Sequence, residues 1–101
     1  MGLLDFIFGT NKTKIKEFLK NHTIILDVKT PREWATRHIE DALHIPLIQL
    51  RDRTNEIKKL SKPVITYYKS GARSAKAASY LNLQNIAAVN GKGWLKLKKS
   101  L

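Results

Sequence analysis

Two short runs, TIILDV at Thr23 to Val28 and KPVITYY at Lys62 to Tyr68, narrow the folds open to this chain. Each is almost continuously apolar and rich in β-branched residues, with no alternation of apolar and polar positions. Such a strand has no face to give to water and must be covered on both sides. Strands of this kind belong to parallel sheets, whose neighbours need long crossover connections, usually helices. The sequence between and after them supplies these. TPREW offers Thr30 as N-cap, Pro31 at the first helical position and Glu33 to close a capping box. That helix has room for a turn or two before a brief strand around Leu43 and Ile45, which Pro46 ends. Leu47, Leu50, Ile57 and Leu60 serve one or two further helical segments. Arg73 to Asn82 predicts a helix whose Ala75, Ala77 and Ala78 let it lie close to a sheet, and NIAAVNG a third short strand.

At the ends, NKTKIKEFLKN spaces Ile15, Phe18 and Leu19 as a short helix, so residues 1–22 are expected to form an N-terminal helical cap. WLKLKKSL is expected to form a terminal helix with Trp94 and Leu97 facing inward. Alternating strands and helices without a linker or repeat predict an α/β fold, a mostly parallel central sheet flanked by helices in three layers. A chain of 101 residues allows one such domain, 1–101, and not two.

The chain contains no cysteine, which removes disulfides, thiolate metal sites and thiol chemistry together. His22, His38 and His44 lack metal-ligand spacing with carboxylates, so neither a metal nor another cofactor is expected. The opening MGLLDFIFG has no positive leading region and no long apolar core, and no run reaches the length of a membrane span. A cytoplasmic protein is the expectation, with LLDFIF as an amphipathic turn on the core. Charge is uneven: residues 1–56 carry all eight acids against nine Lys and Arg, whereas ten basic residues and no acid follow from Ile57. That half attracts anions, an acidic protein partner among them, or is a solvated lysine face. It lacks the interleaved aromatics that would point to nucleic acid.

The stretch with most chemical content is YYKSGARSAKAASYL, from Tyr67. Strand, tight loop and helix in succession build an anion cradle, because loop amides and a helix N-terminus converge on one point. The loop comprises Tyr68, Lys69, Ser70, Gly71, Ala72 and Arg73. Gly71 permits close backbone approach, while Lys69 and Arg73 add positive charge.

Three segments, LDVKTPREWATRHIEDALHIPL, PVITYYKSGARSAKAASYL and NIAAVNGKGWLKL, taken in order, make the chain resemble single-domain rhodaneses from about Ile24 onward. Asp27, Val28, His38, Ile39, Ala42, Ile45, Pro46, Ser70, Gly71, Arg73 and Ser74 fall in register with that family's pattern. The resemblance implies a rhodanese-like fold and, in active members, a cysteine that takes a sulfane sulfur from a donor and passes it to an acceptor. Here that position is Tyr68. A phenol has no sulfur and ionises near pH 10, so it can neither attack sulfur nor carry a persulfide. Arg37 and Asp41 stand where the family has glycines around His-Ile, which is expected to alter a turn, and Lys92 interrupts a Gly-Gly pair before Trp94.

The resulting expectation is a rhodanese-like domain that is not a catalyst and serves as an anion-binding or protein-interaction module. Its alternative is a sulfurtransferase whose cysteine has been replaced. Asp27 and Ser74 are expected to support the loop, Ser74 as a hydrogen-bonding residue of the helix start. Arg73 is expected to bind an anion or to brace loop carbonyls and an acid such as Asp27. His38 and His44 are expected to pack or shape turns.

Overall fold

A computed structural model describes residues 17–18, 20, 22–68 and 70–91 of the chain. Four strands form one sheet in the order β2-β1-β3-β4. They are β1 (Ile24–Asp27), β2 (Leu43–His44), β3 (Val64–Tyr67) and β4 (Ala88–Asn90). All three pairings are parallel, with Ile24 opposite Val64, Leu26 opposite Leu43 and Val64 opposite Ala88. Central β3 is buried at every position, as its unbroken apolar run requires.

The strands divide two apolar clusters between their faces. Leu26, Val28, Val64 and Ala88 meet Ala77, Ala78 and Leu81 of the long helix α3 (Gly71–Leu83), together with Leu50 and Ile57. Ile57 lies on the short helix α2 (Thr54–Lys58), which follows a 3-10 turn at Leu47–Gln49. The other face carries Ile65, Tyr67 and Val89, which gather Phe18 and Ile39. Alanines on α3 bring its backbone close to the sheet, and each larger side chain that is fully enclosed contributes roughly 1.5–3 kcal/mol of burial.

Helix α1 (Pro31–Thr36) begins as its sequence dictates. The Thr30 hydroxyl accepts from the Glu33 amide at 3.2 Å, and the Glu33 carboxylate accepts from the Thr30 amide at 3.2 Å. Pro31 occupies the first turn, where a missing N–H costs nothing. The chain leaves the helix at Arg37, whose backbone is extended.

The turn after Ile39 contains Asp41, one of the two residues that stand at the family's glycine positions. Asp41 adopts φ 67°, a left-handed conformation that glycine enters freely and aspartate better than most other residues. The turn thus accommodates an aspartate at a left-handed position. Helix α3 begins at Gly71, two residues before the expected start, because Ser70 supplies the cap. Of the expected N-terminal helix, Glu17 and Phe18 are helical and Phe18 is buried; the rest of that segment lies outside the described residues. The expected terminal helix with Trp94 and Leu97 lies wholly outside them. Among the described residues no helix is long and apolar enough to cross a membrane.

Candidate functional site

The carboxyl ends of β1 and β3 lie side by side, Asp27 opposite Tyr67, and the loop into α3 leaves from there. Tyr68 follows the last residue of β3 and turns toward α3, so its ring joins the cluster beneath that helix and is only 3% exposed. The hydroxyl at its far end meets two charged groups. It donates to Glu33 Oε1 at 2.7 Å and accepts from Arg73 Nη1. The Arg73 guanidinium also sits 5.0 Å from the centre of the ring. Tyr68 thus ties α1 to α3.

Glu33 therefore has two duties. Its Oε1 accepts from the Thr30 amide and hydroxyl as well as from Tyr68. The bond from Tyr68, chiefly, holds its carboxyl below the usual glutamate range, with help from Thr30 and the Arg73 charge. Burial, and then the bond to Glu33, push the Tyr68 phenol upward, so it stays neutral around pH 7. A group whose folded pKa is lowered contributes stability above its ordinary pKa and loses it as pH falls through the folded value. Glu33 should thus lend its full contribution above pH 4.5 and lose it in more acidic solution. In urea titrations from pH 7 to 3, the parent should lead Glu33→Gln at neutral pH and converge with it in acid; a constant gap would remove Glu33 as the titrating group.

The loop backbone is held by short-range bonds. Ser70 caps α3, its hydroxyl accepting from the Arg73 amide at 3.4 Å. Ser74, expected at the helix start, lies one turn inside and is fully buried. Its single hydroxyl proton is shared between the Gly71 carbonyl, at 3.1 Å, and Asn90 Oδ1, and Asn90 Nδ2 donates to the same carbonyl at 3.2 Å. The Thr66 hydroxyl donates to the Ser74 carbonyl at 2.6 Å. The first turn of α3 is thereby fastened to β3 and to the end of β4. A Cβ added at Gly71 would meet nothing within 4 Å, and its φ is not positive, so the fold itself does not require glycine there. Ala72 is exposed, and Lys69 lies outside the described residues.

Asp27 is fully buried but has a different partner from the one expected. Its Oδ1 accepts from the Lys29 amide at 2.9 Å and its Oδ2 lies 3.5 Å from Lys29 Nζ, whereas Arg73 turns to Tyr68. Lys29 Nζ also donates to the Tyr67 hydroxyl at 3.3 Å and to the Arg37 carbonyl. Trp34 is stacked between His38, at 3.7 Å, and His44, at 4.4 Å. His44 Nε2 donates to the Lys29 carbonyl at 2.8 Å and His38 Nδ1 to the Trp34 carbonyl at 2.8 Å. Both histidines are thus engaged in packing and turn contacts. Among the described residues no group of three His, Asp or Glu is arranged to hold a metal ion.

Lys29, Asn90 and the second role of Glu33 were not foreseen. Asn90 carries no local signal, because Gly71 and Ser74 are distant in sequence; Lys29 lies two residues from Asp27, but no local pattern selects it over the other cations. Glu33 was visible only as a cap.

Comparison with known proteins accords with this geometry. The family model for the rhodanese-like domain matches residues 11–99. A protein named sulfurtransferase from Allochromatium vinosum is 39% identical over 66 residues, 65% of this chain and 61% of that protein's length. A crystal structure from Staphylococcus saprophyticus superposes with TM-score 0.69 at 31% identity, covering 83% of this chain and 85% of that one. A rhodanese-related protein of Thermoplasma volcanium gives TM-score 0.70 at 25% identity, with 87% of each chain covered. With the parallel sheet, the strand–loop–helix and the family match in agreement, this chain belongs to the rhodanese-like domain family, whose sulfurtransferases it resembles in fold but whose cysteine it lacks.

Proposed function

We propose that this chain is a non-catalytic rhodanese-like module of the cytoplasm, whose Tyr68 to Arg73 loop recognises an oxyanion or the acidic side chain of a protein partner. One observation carries the reading: Tyr68 brings a neutral phenol into the loop and anchors it between Glu33 and Arg73. The absent cysteine excludes sulfur chemistry, while Ser70, Ser74, Thr66 and Asn90 keep the start of α3 in place. The Gly71 and Ala72 amides belong to the first helical turn and have no intrahelical acceptor, and Arg73 is always charged. Asp27 and Ser74 support the loop indirectly, through β1 and the first turn of α3.

With thiosulfate or mercaptopyruvate and cyanide, the protein should form thiocyanate no faster than a heat-inactivated sample. In an NMR titration at constant ionic strength, thiosulfate should shift the amides of Gly71 to Ser74 with dissociation in the region of about 1 mM, and Arg73→Ala should abolish the shifts while Lys69→Ala weakens them less. Turnover that depends on intact protein would overturn the non-catalytic reading. Loop shifts that survive Arg73→Ala would overturn the anion-recognising loop.

A sulfurtransferase lineage in which the cysteine was replaced is the second reading. It is favoured by the 39% identity to a protein of that name. Cysteine at this position in near relatives, set against tyrosine throughout them, separates the two.

A further inference from the structure

We propose that the crevice between α1 and the end of β3, bordered by Glu33 and Tyr67, is a second binding site, for a small molecule bearing a phosphate or sulfate group. The crevice encloses about 370 Å³ and is lined by Lys29, Arg32, Glu33, Thr36, Arg37 and Tyr67. Its place follows from the topology. From β1 the chain goes to β2 on one side and returns to β3 on the other, so the connections diverge between the carboxyl ends of β1 and β3. Open α/β sheets bind ligands where the order reverses in this way. The volume lies at the small end of the roughly 300–1,000 Å³ typical of small-molecule sites. A larger groove of about 690 Å³, lined by Leu47, Leu50 and Tyr80, runs along α3 and includes neither strand end.

The chemistry of the walls selects the ligand. Asp27 balances Lys29, and Glu33 is turned toward Tyr68 and Arg73. Among the described residues no acid pairs with Arg32 or Arg37, so two guanidinium charges on the rim are left unbalanced. Tyr67 adds no negative charge, because burial and then the Asp27 charge push its phenol up to about 12. Two guanidinium forks carried by separate backbone positions of the lining suit the three oxygens and double charge of a phosphate head. A flat carboxylate is satisfied by one fork in its plane. Lys29 acts as a positioning residue here: its ammonium joins Asp27, the Tyr67 hydroxyl and the Arg37 carbonyl, which fixes the floor and the backbone that carries Arg37.

Titration with inorganic phosphate, and separately with sulfate and acetate, at pH 7 and constant ionic strength tests the site through backbone amides and arginine side-chain Nε–H signals. Phosphate and sulfate should shift Lys29, Tyr67 and the Nε–H of Arg32 and Arg37, and acetate should do so more weakly. Arg37→Gln and Arg32→Gln should each weaken phosphate at least about fivefold, and Arg73→Gln should change it less than about twofold. Acetate equal to phosphate would overturn the proposal, as would an affinity that follows Arg73 in place of Arg37, or shifts scattered over surface lysines. Dependence on Arg73 reports the loop and dependence on Arg37 the crevice, so the two sites stand or fall separately.

Discussion

Tyr68→Cys should convert a chain that cannot hold sulfur into one that takes up a single sulfur atom from thiosulfate. The thiol would sit on the loop at the point where β3 ends, beside the first turn of α3 and within reach of the Arg73 charge, surroundings that lower a thiol pKa. It would stop a ring's length short of Glu33, whose negative charge would otherwise oppose ionisation. The loop does not need Tyr68 for its backbone, since Ser70, Ser74, Thr66 and Asn90 hold the first turn. Intact-mass measurement should show addition of one sulfur, removable by cyanide, where the parent shows none. The same substitution empties most of a 3%-exposed side chain from the core and cuts the tie between α1 and α3, so it should cost about 2–4 kcal/mol in urea denaturation. A folded Tyr68→Cys protein that fails to label would mean that the loop has lost the geometry of the family's sulfur carriers.

The largest loss of stability should come from Asp27→Asn. Asp27 and Lys29 are 0% and 3% exposed, and they face each other at the end of β1. Burial, the dominant cause, raises the Asp27 pKa against the opposing pull of Lys29 and His44. A raised folded pKa means that Asp27 favours folding in acid, below its ordinary 3.8, and that this contribution is lost as pH rises through the folded value. At neutral pH it is a buried charge that depends on its partner, and the partner depends on it. Asparagine would still accept from the Lys29 amide but would remove the carboxylate charge that faces the buried ammonium, at about 3–5 kcal/mol. Lys29→Met added to Asp27→Asn should recover most of that loss, because two uncharged groups of similar size need no pairing. A loss below about 1 kcal/mol for Asp27→Asn would show that water reaches Lys29 and that the pair is not structural.

Much of this protein could be read from local chemistry. The apolar runs of β1 and β3 admit no exposed face, and Thr30, Pro31 and Glu33 specify the start of α1 through contacts within one turn. The absent cysteine settles what the loop cannot do, because composition alone decides which atoms are available. Helix α3 was legible by its alanines, although its start at Gly71 was not, since Ser70 and Ser74 are equally plausible caps until their depth in the fold is known. The tertiary structure alone decided where Tyr68 goes, which group Arg73 meets, which cation meets Asp27 and why Asn90 matters. Those pairings join residues 16 to 35 positions apart, or choose among several groups of equal local merit. Sequence spacing carries information about neighbours on one helix or strand; the packing of α1 and α3 against the ends of a parallel sheet brings together groups that no local pattern connects.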